Sequence, residues 1–282
     1  MSGENKKKKI LLIGFGRFGK VLHGALRACG ADVDVATKNY ATFLTNSEID
    51  LAVIATPVAT HVQIAKDCLT AGKNVFVEKP LSPNPDEVTK VFELAKQKGR
   101  SVYVDEVALW HAEYMQLARL LRGNVITSIS CAFQKYGTFD DTIFNAHVYH
   151  DLYVLADLVG EGEAHGIEIV SAKDPIEKGR VDTMAFRFRY NNVAVEGRYD
   201  RLSEKRHKEI VVQCENGSVL TWRNGELLKN DVPEEVHLHD ALQAMLQPVL
   251  EGTADYAGNN KRALQATQLL GALEGAVLRY RS

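Results

Sequence analysis

The chain has 282 residues, of which 45% are hydrophobic and 25% are charged, and its formal net charge is −2. This length accommodates two domains, and the composition is that of an ordinary globular protein. A net charge so near zero gives no electrostatic attraction to nucleic acid or to an anionic membrane surface. We therefore expect neither as a partner.

Four cysteines lie far apart in the sequence, with no CxxC spacing. This usage is typical of small core residues in a reducing compartment, so we expect no disulfide and no metal site. The polar opening Met1–Lys9 has no signal-peptide pattern, and no stretch approaches the length of a membrane span. A cytoplasmic protein is the expectation.

The first predicted strand, Ile10–Ile13, runs into Gly14-Phe15-Gly16-Arg17-Phe18-Gly19 and then into a predicted helix, Lys20–Cys29. The glycine spacing has a mechanical reason. The first glycine makes a tight turn, the second lets the backbone approach a pyrophosphate, and the third lets helix and strand pack closely. The phosphates would lie at the helix N-terminus, where backbone N–H groups and the helix dipole favour an anion. The strand–loop–helix context predicts a dinucleotide-binding site.

The second predicted strand, Asp32–Ala36, ends in Thr37-Lys38-Asn39. An NAD-specific site usually has an acid at this place to bind the adenosine ribose. Thr37 and Lys38 can instead bind a 2′-phosphate, which favours NADP over NAD. The alternative is that Lys38 is a solvated loop residue and that Asp34 or Asn39 binds the ribose.

Strands then alternate with helices, which predicts βαβ units and a parallel sheet. The predicted elements are a short helix Tyr40–Leu44, strand Asp50–Ala55, helix Ala59–Ala71, strand Val75–Lys79, helix Pro85–Gly99 and strand Val102–Val104. Together they predict an α/β fold that begins with a Rossmann dinucleotide-binding domain over residues 1–108.

The pattern changes after this point, because strands follow one another with few helices between them. Predicted helices are Ala112–Leu121, Ala146–Val159, Val236–Glu251 and Asn260–Tyr280; predicted strands are Val125–Phe133, Gly166–Ala172, Met184–Tyr190, Ala194–Asp200, Glu209–Cys214 and Ser218–Trp222. We predict an α+β domain over residues 109–282 with an open, mainly antiparallel sheet, and expect the last helices to pack back on the first domain. An exposed sheet face favours a homo-oligomer, a dimer or tetramer.

The predicted strand Val75–Lys79 ends in Glu78-Lys79-Pro80. Charge at this end lies where parallel sheets usually bind ligands, and the proline stops the strand. Taken alone, Glu78 and Lys79 are best interpreted as a solvated ion pair, and the glycine-rich stretch near the start of the chain is what favours a functional role.

Three segments together resemble the glucose–fructose oxidoreductase, inositol dehydrogenase and rhizopine-catabolism family (Gfo/Idh/MocA). They are the glycine loop, Ala55-Thr56-Pro57-Val58-Ala59-Thr60-His61, and Ala71-Gly72-Lys73-Asn74-Val75-Phe76-Val77-Glu78-Lys79-Pro80. The resemblance covers nearly the whole length. It implies hydride transfer between NADP or NAD and a carbon that bears a hydroxyl, often on a sugar or cyclitol.

The resemblance also implies roles for individual residues. Lys79 would polarise the substrate oxygen, and Glu78 would orient this lysine or the nicotinamide ring, with a cis Lys79–Pro80 bond. The expected cofactor-binding set comprises Gly14, Phe15, Gly16, Arg17, Phe18, Gly19, Thr37, Lys38, Ala55, Thr56, Pro57, His61, Glu78 and Lys79.

The sequence departs from the family in its second signature, an aspartate followed four residues later by a histidine. Alignment on Gly160 puts His150 at the histidine and Ala146 at the aspartate, unless Asn145 or Asp151 substitutes. His147 and Asp151 are also four residues apart and could form a dyad in a shifted register. His150 is our first candidate for the proton carrier and His147 the second; a structural histidine pair is the alternative.

Glu106, Trp110 and Asp151 are the expected substrate contacts, although Trp110 suits core packing as well. Two further functions are compatible with the same fold. One is reduction of an imine or another non-sugar acceptor, which needs no aspartate–histidine dyad. The other is a non-catalytic NAD(P)-binding regulatory protein, since fold alone does not fix function.

Overall fold

The computed structural model describes residues 8–137 and 139–281. These residues form two compact units. The first comprises the chain up to Val107 together with Asp240–Leu264, and the second comprises Ala108–His239 together with the residues from Gln265 onward. The chain thus returns to its first unit after it has completed the second sheet.

The first unit contains a five-stranded parallel sheet in the order β2-β1-β3-β4-β5. Its strands are β1 (Lys9–Ile13), β2 (Asp32–Ala36), β3 (Ile49–Ile54), β4 (Asn74–Val77) and β5 (Val102–Val104). The central strands are continuous apolar runs and are fully buried, as helices cover both faces of such a sheet. The strand order reverses between β1 and β3, where a doubly wound sheet binds its ligand. The predicted Rossmann fold is confirmed.

Helices follow the strands of this sheet: α1 (Arg17–Ala28), α2 (Ala41–Leu44), α3 (His61–Thr70) and α4 (Pro85–Lys98). The signals that bound α4 are all local. The Asn84 side chain accepts a hydrogen bond from the Asp86 N–H, Pro85 occupies the first turn, and Gly99 ends the helix at φ +62°.

The returning segment closes the edge strand β5. It contains α7 (Ala241–Glu251) and the start of α8 (Tyr256–Arg281). The amide of Asn259 accepts a hydrogen bond from the Val104 N–H and donates one to the Val104 carbonyl, each at 2.8 Å. This buried amide therefore pairs backbone groups that the edge of a sheet would otherwise leave open.

The second unit contains an eight-stranded sheet in the order β13-β12-β11-β10-β6-β9-β8-β7. Its strands are β6 (Ile126–Gln134), β7 (Ala164–Lys173), β8 (Thr183–Tyr190), β9 (Val193–Asp200), β10 (His207–Cys214), β11 (Val219–Arg223), β12 (Glu226–Lys229) and β13 (Val232–Pro233). The pair β6–β9 is parallel and the other neighbours are antiparallel, which confirms the predicted mainly antiparallel sheet. Along β8 and β9, residues alternate between buried and exposed, so one face of these strands is covered.

Two helices of the second unit are α5 (Ala112–Leu121) and α6 (Tyr149–Val159). The single helix predicted from Ala146 is wrong at its start, because a π-helical segment, Phe144–Val148, precedes α6. The predicted starts of the last two helices are also corrected. Asp240 caps α7 through the Gln243 N–H, so that helix begins at Ala241, and α8 begins at Tyr256.

A buried ion pair joins β9 to the start of β8. The Arg201 guanidinium donates two hydrogen bonds to Asp182 Oδ1, at 2.6 and 2.8 Å, and both side chains are almost fully buried. Arg201 also donates to the Asp141 carbonyl at 2.8 Å and lies over the Phe139 ring at 5.1 Å. The pair thus anchors the chain that leads into the π-helical segment.

No helix in the described ranges is long and apolar enough to cross a bilayer.

We expect Asp182→Asn to lower the free energy of unfolding of the second unit by about 3–5 kcal/mol, because it leaves a buried guanidinium without its counter-charge. Tryptophan fluorescence during denaturant unfolding measures this, since Trp110 and Trp222 both belong to that unit. The control is Arg187→Gln, which breaks an exposed pair with Glu168 and should cost about 1 kcal/mol or less. Equal losses in the two variants would contradict the prediction.

Candidate functional site

The turn after β1 is packed so closely that two of its glycines admit no side chain. Gly14 has φ +98°, and a Cβ there would stand 2.5 Å from the Ala55 carbonyl oxygen. Its N–H donates to the Ala36 carbonyl at 2.8 Å. A Cβ at Gly19 would meet the Gly14 carbonyl oxygen. The turn therefore rests on the ends of β2 and β3, and only glycine fits at these two positions.

Gly16 differs from both, because a Cβ there would meet no described atom within 4 Å. It has φ −70° and is the N-cap of α1, with no side-chain cap. The first-turn N–H groups of a helix have no partner within it, and together with the helix dipole they favour an anion. The open space at Gly16 thus fits a pyrophosphate. Phe15 and Arg17 beside it are exposed, and Phe18 is half-buried.

The end of β2 carries an exposed hydroxyl and an exposed cation, Thr37 and Lys38. Within the described ranges, Lys38 has no hydrogen bond or ion pair. The acid nearby is already engaged, because Asp34 pairs with Lys9 at 3.5 Å. The end of β2 therefore carries an exposed cation, and the nearby carboxylate of Asp34 is paired with Lys9.

His61 is buried between two backbone carbonyls. Its Nδ1 lies 2.9 Å from the Pro80 oxygen and its Nε2 lies 2.8 Å from the Thr56 oxygen. The ring therefore ties the Thr56-Pro57 segment to Pro80, whose bond to Lys79 is cis. This geometry corrects the expected direct contact of His61 with the cofactor, because both ring nitrogens are hydrogen-bonded to backbone carbonyl groups. The side chain instead positions the segments that contain Thr56 and Pro80.

The ends of β4 and β5 bring two carboxyl groups together beside Lys79. Glu78 Oε2 accepts a hydrogen bond from the Lys79 N–H at 2.7 Å, and the Asp105 carboxyl group is close enough to Glu78 for each to affect the pKa of the other. Burial raises the pKa of Glu78 to about 8 and that of Asp105 to about 6, although Lys79 lowers both. The cluster holds a proton that isolated carboxylates would release.

Glu106 is anchored within the first unit. The Arg262 guanidinium grips its carboxylate with two hydrogen bonds, at 2.8 and 2.9 Å, and the Tyr103 hydroxyl donates to it at 2.8 Å. The carboxylate is buried, and both of its oxygens already accept hydrogen bonds from the protein. The expected substrate contact of Glu106 is therefore corrected to a structural one, which ties α8 to the end of β5.

In the second unit, the candidate histidines lie on either side of the junction between the π-helical segment and α6. His147 is buried, and its ring stacks on Phe133 with centroids 4.2 Å apart. His150 is half-buried. Asn145 Nδ2 donates to the Asp141 carboxylate at 3.0 Å. Of the two rings, His150 is the more accessible.

Asp151 is buried under the sheet, where its carboxylate accepts a hydrogen bond from the Tyr199 hydroxyl at 2.8 Å. Burial raises the pKa of Asp151, against the opposing effects of Lys208 and Tyr199. The carboxylate is thus hydrogen-bonded to a side chain of β9. This corrects both the expected substrate contact and the suggested dyad with His147. Trp110 is half-buried, and its carbonyl lies 2.9 Å from His239 Nε2.

Sequence reasoning missed Asp105, although a signal was present. It follows β5 directly, as Glu78 follows β4, and β4 and β5 are parallel neighbours. Because parallel strands end at one edge of the sheet, the two carboxyl groups are expected to lie close together.

No group of metal-ligating side chains that could hold an ion occurs among the residues that the structure describes.

Comparison with known proteins is consistent with this architecture. Residues 27–106 match the family model GFO_IDH_MocA, described as oxidoreductase family, NAD-binding Rossmann fold. The uncharacterized oxidoreductase YdgJ of Escherichia coli is 30% identical over 141 residues, which cover 43% of this chain and 41% of that protein. Biliverdin reductase A of Mus musculus is 28% identical over 151 residues, 47% of this chain and 51% of that protein. The chain thus matches about half or less of these curated relatives.

Among solved structures, the WlbA dehydrogenase from Bordetella pertussis, in complex with NADH and UDP-GlcNAcA, superposes with a TM-score of 0.82 over 97% of both chains. At 16% identity this likeness shows the fold. The glycine turn, the open space at Gly16 and the family match over the same unit agree on the cofactor. Over residues 27–106, the chain is similar to the NAD-binding Rossmann domain of the Gfo/Idh/MocA oxidoreductases.

Proposed function

We propose that the protein transfers hydride between NADP or NAD and a hydroxyl- or carbonyl-bearing carbon of a sugar-like small molecule. The observation that carries this proposal is the cluster of Lys79, Glu78 and Asp105. It lies at the same edge of the parallel sheet as the glycine turn. A dehydrogenase needs a dinucleotide and a proton-handling group side by side, and this edge offers both.

The bound nicotinamide supplies or accepts the hydride. Gly16 and the first turn of α1 would hold the pyrophosphate, with Phe15, Arg17 and Phe18 around it. Thr37 and Lys38 would meet the adenosine ribose. Because Lys38 has no ion-pair partner in the described ranges and Asp34 is paired with Lys9, we propose a preference for NADP.

Lys79 is the proposed group at the substrate oxygen. An ammonium group there favours the charge that develops on this oxygen as hydride moves. Glu78 and Asp105 lie in the same cluster, and burial raises the pKa of both carboxyl groups, so this pair is not fully ionised at neutral pH. His150, the more accessible of the two histidines, is the proposed proton carrier of the second unit, and His147 is the second candidate.

A sugar-like substrate is supported by the WlbA complex with UDP-GlcNAcA, at the level of fold. A non-sugar acceptor is the second candidate, and two observations favour it. Ala146 stands where the family has an aspartate, and a curated relative is named biliverdin reductase A.

We also propose that the protein is cytoplasmic. We propose in addition that it forms a dimer or tetramer, because β8 and β9 expose one face of the second sheet.

The glycine turn generates a prediction about nucleotide binding. Gly16→Ala should weaken both NADPH and NADH at least about tenfold, the equivalent of one hydrogen bond to a charged group, because its Cβ fills the space proposed for the pyrophosphate. Its free energy of unfolding should fall by no more than about 1 kcal/mol, because that Cβ meets no described atom and only the N-cap of α1 becomes less favourable. Nicotinamide fluorescence titration and thermal unfolding measure the two effects.

Two variants complete this titration. Gly14→Ala should destabilise the protein by about 1–3 kcal/mol through backbone strain, which distinguishes packing from binding. Lys38→Ala should weaken NADPH and leave NADH unchanged. Failure of the wild type to bind either nucleotide would end the proposal, and equal losses for both nucleotides in Lys38→Ala would end the NADP preference.

Lys79→Met should lower kcat by about 10²–10⁴-fold while nucleotide affinity is retained, because the lost interaction is with the reacting oxygen. Turnover would be measured on sugars, cyclitols and sugar nucleotides, with biliverdin as the non-sugar acceptor. His150→Gln should lower kcat more than the matched variant His147→Gln. Full activity of Lys79→Met on any turned-over compound would refute its role, and turnover of biliverdin alone would favour the second candidate.

The carboxyl pair predicts a pH dependence of stability. Between pH of about 4.5 and about 8, folded Glu78 keeps a proton that the unfolded chain releases, so stability falls as pH rises through this window. One such proton corresponds to a slope of about 1.4 kcal/mol per pH unit. Glu78→Gln, which mimics the protonated form, should flatten the slope between about pH 6 and about pH 8. Denaturant unfolding followed by circular dichroism tests this, and identical slopes for both proteins would contradict it.

A further inference from the structure

The second unit contains a cavity of about 490 Å³ with an unusual lining. Its walls are the start of α5, the start of β10 and the turn between β11 and β12, and Trp222 lies at its base. None of the roles proposed above uses this cavity. The side chains that line it are ionic as well as aromatic.

Two cations line the cavity from alternate positions of one chain segment. The Lys208 ammonium lies 4.8 Å from the centroid of the Trp222 ring, a cation–π contact. Its backbone is fixed, since Asn224 Oδ1 accepts from the Lys208 N–H and the Asn224 N–H donates to the Lys208 carbonyl, each at 2.9 Å. Arg206 is exposed and has no hydrogen bond or ion pair within the described ranges. One cation is thus held in place and the other is available.

A carboxylate faces the same cavity from the first turn of α5. Glu113 is only 9% exposed, yet it has no hydrogen bond or ion pair among the residues that the structure describes. A Cβ on Gly225 would lie 3.7 Å from its Oε1, so the carboxylate stands against the turn that carries Asn224. Burial, Lys208 and His239 lower the pKa of His111, against the opposing effect of Glu113. Because this largely buried carboxylate faces the cavity, it can accept a hydrogen bond from a molecule bound there.

We propose that this cavity binds a small hydroxylated anion, with its carboxylate or phosphate on Lys208 and Arg206 and a hydroxyl group donating to Glu113. A simple inorganic anion would satisfy the cations and would be repelled by Glu113. A neutral polyol would satisfy Glu113 and leave the cations unused. The N-terminus of the ten-residue helix α5 adds a favourable dipole for the anionic group. Sugar acids and sugar phosphates carry both features.

Trp222 provides a direct readout of binding. The chain has two tryptophans, so Trp110→Phe leaves Trp222 as the sole emitter. An anion that draws the Lys208 ammonium from the ring should change the emission of Trp222. The probes are gluconate, glucose 6-phosphate, inorganic phosphate and the neutral polyol glucitol. Calorimetry on the wild-type chain, without nucleotide, repeats each titration and excludes an effect of the Trp110 change.

We expect gluconate or glucose 6-phosphate to bind more tightly than glucitol and inorganic phosphate. Lys208→Met and Arg206→Gln should each weaken the tighter of the two anions about tenfold or more, because each removes a hydrogen bond between charged groups. Glu113→Gln should weaken the same anion and leave inorganic phosphate unchanged or tighter. The matched control Arg198→Gln removes one positive charge from an exposed site on β9 and should change nothing.

Several results would overturn the proposal. Equal affinity for glucitol and gluconate would show that the charge is not recognised. Equal losses in Arg198→Gln and Lys208→Met would show only general electrostatics. Inorganic phosphate as tight as glucose 6-phosphate would show that the sugar hydroxyl groups are not recognised, and no response to any probe would remove the site. If Lys208→Met fails to fold, Arg206→Gln decides, because Arg206 is exposed. These outcomes are independent of nucleotide binding by the first unit.

Discussion

The close approach of the Gly14 turn to the end of β3 is the constraint on which the candidate site depends. Because the Ala55 carbonyl stands where a Cβ of residue 14 would be, the chain leaves β1 in a tight turn that ends at the first residue of α1. That turn points the N-terminus of α1 at the edge where β4 and β5 also end. The dinucleotide loop and the carboxyl cluster are therefore neighbours through strand direction rather than through sequence proximity.

Much of this architecture was predictable because its signals are local. Apolar runs that end in glycine or proline predicted β1 and β4, and alternation of apolar and polar residues predicted β8 and β9. The strands β12 and β13 were missed because they are short and carry little apolar pattern. The π-helical start of the segment before α6 was missed as well, since no residue pattern distinguishes it from a first α-helical turn.

The chemistry of individual side chains was less predictable, because it depends on partners that are remote in sequence. His61 is fixed by the Pro80 carbonyl and Glu106 by Arg262, and neither pairing leaves a trace in local spacing. Asp151 meets Tyr199 across the second unit for the same reason. Asp105 is the exception: its position after a strand parallel to β4 contained the information, and its pairing with Glu78 follows from topology.

The Asn259 amide, which pairs the edge of β5, has a consequence for the order in which the chain folds. Val104 and Asn259 are 155 residues apart, and the whole second sheet is synthesised between them. During translation the parallel sheet emerges first, but the group that completes its edge emerges near the end of the chain. Domains that are continuous in sequence can finish folding as they leave the ribosome. The parallel-sheet unit of this chain keeps the edge of β5 unpaired until Asn259 has been synthesised. The period before the C-terminal helices arrive is therefore when a nascent chain is most exposed to strand-to-strand aggregation, and when a chaperone would have most to protect.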